Sequence, residues 1–365
     1  MFLFNKGTAF NEWVELWAKK GYAAISIAVE GQTDETLSSP SRLANRFYES
    51  HSRSGPKRNG VYGDWKEPIE DQWMFHAVAD TILARLLLAK TFGDKVDSTR
   101  IGLMGISWGG VISCTVTGLT SGSRLFSHFI PAYGCGNLYD SKSPLGRALK
   151  NNPLYPILWD PCLYLSNASL PSLWMSWPED PIFSMNTLSA SYSKIQGPVM
   201  LSIIPHLEHG HQPIWNRPES YVFSEFIWRQ NGPNETKHSW GYQISCEVIT
   251  SQVDNLIFRV EYFSEFRLKR AELVWSPDSD DVLAALRRWE ISEIQITPNS
   301  SNITVVEASI LDGAEAWMIN IYTEDSGEGE LTVTSRYQNV SQYLNGSEGK
   351  GTCQTGSSKR LMRSP

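Results

Sequence analysis

The sequence predicts an α/β protein built on a parallel sheet, followed by a small β-sandwich of immunoglobulin-like type. Between Phe10 and Arg229, apolar runs that read as continuous strands alternate with helical periodicity, the pattern of a parallel sheet covered on both faces. After about Gly232 the pattern changes to short segments with period-two alternation between Asp, Ser, Gly and Pro clusters, the signature of antiparallel strands. The 365 residues are enough for about two domains of roughly 150 residues each.

The elements follow in order. Phe10, Trp13, Val14, Trp17 and Ala18 fall at helical spacing and Gly21 stops the pattern, so residues 10–20 read as a helix and AAISIAV after it as a buried strand. Residues 31–70, rich in Gly, Ser, Pro and charge, read as one long loop. Asp71 to Phe92 reads as an amphipathic helix ended by Gly93. A strand at Arg100 to Met104, a helix at Trp108 to Leu119 and a strand at His128 to Tyr133 come next. They are followed by strands at Leu173 to Trp177 and Val199 to Ile204, and by helices at Ser184 to Lys194 and Glu219 to Arg229. The predicted boundaries are an α/β domain over 1–232, a sandwich over 240–340 and a disordered polar tail over 344–365.

Composition excludes several function classes. Lys plus Arg number 32 against 39 Asp plus Glu, a formal charge of −7, so no positive field invites nucleic acid. No apolar run approaches the roughly 20 residues of a membrane helix. MFLFNKGTAF has neither a basic n-region nor a long apolar h-region, so the chain as given reads as cytoplasmic. The five cysteines, Cys114, Cys135, Cys162, Cys246 and Cys353, lack CxxC spacing and read mostly as buried thiols. The sequons at Asn167, Asn234, Asn299, Asn302, Asn339 and Asn345 read as chance in a Ser-rich chain.

The sharpest chemical signal is IGLMGISWGG, in which Gly105, Ser107 and Gly109 fit G-x-S-x-G. That motif presents a serine hydroxyl on a strained strand-to-helix turn, and the small flanking residues let neighbouring backbone close in. A strand precedes it and a helix follows, the context the motif needs. A coincidental Gly-Ser turn is the bland alternative.

A serine hydroxyl at neutral pH needs a base, and the base needs an orienting acid, in the chain order Ser, acid, His. Asp180, in WMSWPEDPIF just after a predicted strand and 73 positions beyond Ser107, is the candidate acid; Glu179 and Asp160 compete. His206, His209 and His211 cluster in PHLEHGH after the next strand. His209 is the preferred base, with His211 as the alternative. A metal site formed by His206, Glu208, His209 and His211 is a rival reading that lacks a second ligand cluster; no metal and no cofactor are expected.

An oxyanion needs backbone donors: the Trp108 N–H, and a second from the early loop around Gly7. Trp108 is a candidate pocket wall or a core side chain. Tyr62 and Trp65, in the long early loop, are candidate pocket residues whose alternative is ordinary packing.

The runs GTAFNEWVELWAKKGYAAISI, HAVADTILA, VDSTRIGLMGISWGG, PAYGCG, LWDP, EDPIF and EHGHQPIW together resemble the acetylxylan-esterase-like, dienelactone-hydrolase-like branch of the α/β-hydrolase superfamily, across residues 7–230. That branch is distantly related to prolyl-oligopeptidase catalytic domains. The resemblance implies a cofactor-free serine esterase or deacetylase with Ser107 as nucleophile, Asp180 as acid and His209 as base. It also implies acetylated carbohydrate as the substrate class. Relatives carry two or three earlier strands and an HGGGG-type loop where this chain has MFLFNKG, so the expected sheet is N-terminally shortened. Two readings of that difference stay open: a true start upstream, which would bring an export signal, or a shortened, non-catalytic binding scaffold. Within the enzymes, the alternative is a serine peptidase of prolyl-oligopeptidase type.

Overall fold

The structure is a computed structural model of the 365-residue chain. It describes residues 2–5, 10–30, 32–36, 48–50, 55–230, 242–251, 255–264, 266–296, 303–323, 327 and 329–340. The chain divides into two compact units, Met1–Ser141 with Leu145–Leu170, and Lys142–Pro144 with Pro171–Pro365.

In the first unit, β1 (Phe2–Asn5), β2 (Ile25–Ala28), β5 (Gly102–Ile106) and β6 (His128–Ala132) pair in the order β2-β1-β5-β6, every pairing parallel. Strands β5 and β6 are buried at every position, as a sheet covered on both faces requires. The AAISIAV strand is an exception to the expected burial. All four residues of β2 are half-buried, because β2 is an edge strand paired with β1 alone among the described residues.

Helix α1 (Asn11–Lys19) buries Trp13 and Trp17 and ends where Gly21 takes a left-handed φ of 86°. The segment expected to be one long loop also departs from expectation. It contains β3 (Gln32–Thr36) and β4 (Tyr48–Ser50), an antiparallel pair, and a 3-10 turn at Ile69–Asp71. That turn takes up Asp71, so α2 runs from Trp73 to Thr91. Its start is fixed by the Asp64 carboxylate, which accepts the Trp73 backbone N–H at 2.6 Å and thereby satisfies an orphan helix-end donor.

Helix α2 is not the amphipathic helix the pattern suggested. Its core face buries Trp73, Met74, Ala77, Val78 and Leu88, yet Phe75, Leu83, Leu86 and Leu87 are exposed on the other side. Arg85, on the core face, is held by the carbonyls of Leu125 and Ser98, both at 2.7 Å.

Helix α3 (Trp108–Thr120) is buried from Trp108 to Gly118. The stretch after β6 carries elements that apolar periodicity did not show: α4 (Pro144–Leu149), a π-helical turn at Tyr155–Trp159 and α5 (Cys162–Leu165). Each is too short to display a period.

The second unit contains the parallel pair β7 (Ser172–Ser176) and β8 (Val199–Ile203), with α6 (Met185–Tyr192), α7 (His211–Trp215) and α8 (Pro218–Gln230). Two antiparallel sheets follow. In one, β10 (Asn255–Phe263) lies between β9 (Tyr242–Ser251) and β13 (Ile303–Ser309). In the other, β11 (Leu268–Ser276) lies between β12 (Glu290–Ile294) and β14 (Ala316–Thr323), which in turn pairs β15 (Thr332–Thr334) and β16 (Gln338–Asn339).

The two sheets meet through buried side chains, Phe258 against Trp317 and the Tyr262 hydroxyl donating to the Ile319 carbonyl at 3.0 Å. The sandwich is also bonded to the α/β elements of its unit. Ile203 N–H donates to Thr334 Oγ1 at 2.7 Å, Asn320 Nδ2 to the Ile203 carbonyl at 2.8 Å, and Thr332 N–H to buried Glu219 at 3.0 Å. The polar tail expected over 344–365 lies outside the described residues. No described helix is long and apolar enough to cross a membrane.

Candidate active site

Ser107 stands between β5 and α3 with φ 57° and ψ −117°. A non-glycine residue in such a region costs on the order of 1–3 kcal/mol and persists only where its surroundings over-determine it. Those surroundings are visible. The Ser107 N–H donates to the Ala132 carbonyl of β6 at 2.8 Å. A Cβ at Gly105 would lie 2.0 Å from the Gly109 carbonyl oxygen, and one at Gly110 would lie 2.6 Å from the Gly134 Cα. The turn therefore closes only with bare backbone at 105, 110 and 134. The G-x-S-x-G pattern identified Gly105 for this reason, whereas the Gly110–Gly134 contact was signalled only by the WGG and YGCG runs.

Trp108 is the first residue of α3, and first-turn N–H groups have no acceptor within their own helix. The residue is 6% exposed, and its indole packs edge-on against Tyr62 at 5.4 Å and Trp73 at 5.7 Å. Tyr62 is buried, its ring 5.0 Å from that of Tyr155. Burial pushes the Tyr62 phenol well above its ordinary range, with the Asp160 and Asp64 charges adding to the effect, so it stays a neutral hydroxyl. In the same loop, the Trp65 ring lies under the Lys66 ammonium at 5.2 Å and its carbonyl accepts from Gln72. Gly7 lies outside the described residues.

Arg58, which the sequence reading did not single out, lies over the Trp108 ring at 5.0 Å and the Trp73 ring at 5.9 Å. It is anchored by Glu30 at 3.2 Å and the Gly60 carbonyl at 3.0 Å. Glu30 lies just past the carboxyl end of β2, the end at which open α/β sheets bind ligands.

Ser107 belongs to the first unit, and Asp180 and His209 to the second. Asp180 is fully buried in the turn after β7. Its Oδ1 accepts the N–H groups of Ile182 at 2.8 Å and Phe183 at 2.9 Å, and its Oδ2 lies 2.8 Å from His209 Nδ1. A carboxylate only accepts, so Nδ1 carries the proton and Nε2 is the basic nitrogen. The Phe183 ring stacks on the imidazole at 6.1 Å, and 20% of the His209 side chain is exposed.

The competing residues are engaged differently. Glu179 pairs with His206 at 3.4 Å, and Asp160 accepts the N–H groups of Asn137 and Cys162, both at 2.8 Å. His211 opens α7 and stacks on Trp215 at 5.9 Å. Among the described residues no group of three or more His, Cys, Asp or Glu is placed to hold a metal ion. Cys114 and Cys135 are buried thiols and Cys162 is half-buried. Burial pushes the Cys114 thiol up, away from nucleophilic chemistry.

A parallel sheet whose central strand runs through a strained serine turn into a buried helix is an α/β-hydrolase-type architecture. No family model and no curated protein matches the chain. Among solved structures it is similar to acetyl xylan esterase 1 from Thermoanaerobacterium sp. JW/SL YS485, at 14% identity over 63% of this chain and 74% of that one, with a TM-score of 0.46. It is similar to an acetyl xylan esterase from Paenibacillus sp. R4 at 16% identity over 62% and 73%, also with a TM-score of 0.46. It is similar to the Pyrococcus horikoshii acylaminoacyl peptidase at 21% identity over 65% of this chain and 38% of that one, with a TM-score of 0.45.

Proposed function

We propose that the protein is a serine hydrolase that cleaves carboxylic esters through an acyl-enzyme, with acetylated carbohydrate as its substrate class. The observation that carries this reading is the backbone of Ser107, a strained non-glycine residue held by three bare glycines at a strand-to-helix turn. Strain of this kind clusters where a side chain must be presented for chemistry.

In the proposed reaction His209 Nε2 takes the Ser107 hydroxyl proton as the oxygen attacks the ester carbonyl. Asp180 holds the ring in the Nδ1–H tautomer and stabilises the imidazolium that forms. The Trp108 N–H, with a second backbone donor near Gly7, holds the developing oxyanion. The imidazolium returns its proton to the departing alcohol, leaving Ser107 acylated. Water then gives a proton to the same histidine, attacks the acyl carbon and releases the acid, and Ser107 recovers its proton. Trp108, Tyr62 and Trp65 are proposed as substrate-side residues.

The substrate class is tested by comparing acetylated xylo-oligosaccharides with peptide and aminoacyl amides of the prolyl and acylaminoacyl type. Release of acetate with the amides untouched supports the esterase. Preferential amide cleavage replaces it with a serine peptidase, and turnover of neither class favours a binding scaffold.

A further inference from the structure

Resting on the reading of Ser107 as nucleophile, we propose that Tyr62, latched in place by Asn152, sets the length of the acyl group and restricts the site to acetyl-sized groups. In this proposal an acyl group on Ser107 Oγ, with its oxygen at the Trp108 N–H, runs its chain against residue 108, the next residue in the chain. The indole there is already in contact with the rings of Tyr62 and Trp73, and Tyr62 with that of Tyr155. All four side chains are buried. The Arg58 guanidinium covers the indole from the side of Glu30. Each added methylene has to displace packed aromatic carbon, and overpacking of this kind is unfavourable.

Tyr62 holds its place against its own backbone preference, with φ 54°. A bulky residue in the left-handed region needs an external restraint, and one side chain supplies it. Asn152, 2% exposed, donates from Nδ2 to the Tyr62 carbonyl at 3.3 Å. Its Oδ1 accepts the N–H groups of Leu154 and Tyr155, each at 3.0 Å. A single amide thus ties the strained turn to the start of the π-helical turn that opens with Tyr155, and sets two rings of the wall together. Asn152 is a positioning residue and Tyr62 the specificity-determining one. Among the described residues the buried phenol hydroxyls of Tyr62 and Tyr155 have no hydrogen-bond partner, so the proposed gauge acts through ring volume.

The test is kcat/KM for p-nitrophenyl acetate, butyrate and hexanoate with the full chain and its variants. The wild-type value is expected to fall by about tenfold or more from acetate to butyrate, the discrimination a filled apolar wall exerts against extra methylenes. Tyr62→Phe keeps that ratio and Tyr62→Ala narrows it by about tenfold. Asn152→Ala narrows it as well, through a lower KM for butyrate with little change in kcat for acetate.

Hexanoate turned over as readily as acetate by the wild type overturns the proposal, whichever variants fold. An unchanged ratio in a folded Tyr62→Ala protein overturns it too. Absence of acetate turnover in the wild type removes the Ser107 reading itself and the proposal with it, a result distinct from turnover without length discrimination.

Discussion

His209 Nδ1 lies 2.8 Å from Oδ2 of the fully buried Asp180, whose other oxygen is taken by the backbone N–H groups of Ile182 and Phe183. The turn aims the carboxylate at the ring. Asp180→Asn keeps an acceptor for the two N–H groups and loses control of the tautomer, so kcat is expected to fall about 10³- to 10⁴-fold with little loss of stability. Asp180→Ala also leaves the turn unsatisfied and should cost about 1–3 kcal/mol in urea unfolding. Equal turnover by the Asn variant and wild type would remove Asp180 from the mechanism.

The two histidine candidates separate by their partners. His209→Ala should lower kcat by about 10⁴-fold or more, whereas His211→Ala removes a ring stacked on Trp215 and should leave turnover near wild type. Steady-state kinetics on p-nitrophenyl acetate decides between them; the reverse pattern would move the base to His211.

The serine turn should be intolerant of a single methyl group. Gly105→Ala and Gly110→Ala place a Cβ at 2.0 Å and 2.6 Å from backbone atoms, and each should cost about 4 kcal/mol or more or abolish soluble expression. Gly122→Ala, with nothing within 4 Å of its Cβ, should stay within about 0.5 kcal/mol of wild type. Urea midpoints of the three proteins measure the contrast.

His128 links stability to pH. Burial at the start of β6 pulls its pKa down to about 3, against about 6.5 in an unfolded chain. Below pH 6.5 the unfolded chain therefore binds a proton that the folded protein refuses. Its full contribution is present above pH 6.5 and is lost as pH falls towards 3. At pH 5 the loss is about 2 kcal/mol. Unfolding free energies at pH 7 and pH 5 should differ less in His128→Gln than in wild type by about that amount; an unchanged difference would show that His128 is protonated in the folded protein.

How much of this was legible depended on the physical signal. The strand-to-helix context of Ser107 was readable because β5 is a continuous apolar run and α3 begins at once. The order of Asp180 and His209 was readable because both stand just past strand ends. Helix α2 misled because Phe75, Leu83, Leu86 and Leu87 extend apolar character to the face opposite the core, and period alone does not say which face is covered. The half-buried edge strand β2 reads like a central one because Ile, Ala and Val suit both. The Asn152 latch was invisible: Tyr62 and Asn152 are 90 positions apart, and an asparagine in a loop carries no period. Arg58 over Trp108 likewise depends on the fold bringing a loop against the start of α3.

The most direct test of the central claim is hydrolysis of p-nitrophenyl acetate by the purified chain beside Ser107→Ala, with a fluorophosphonate probe and mass spectrometry to locate the adduct. Turnover that disappears in Ser107→Ala, together with a single adduct on Ser107 in the wild type, is the predicted result. Turnover that survives in Ser107→Ala, or a wild-type protein that neither turns over nor takes the probe, would contradict the assignment of Ser107 as a nucleophile.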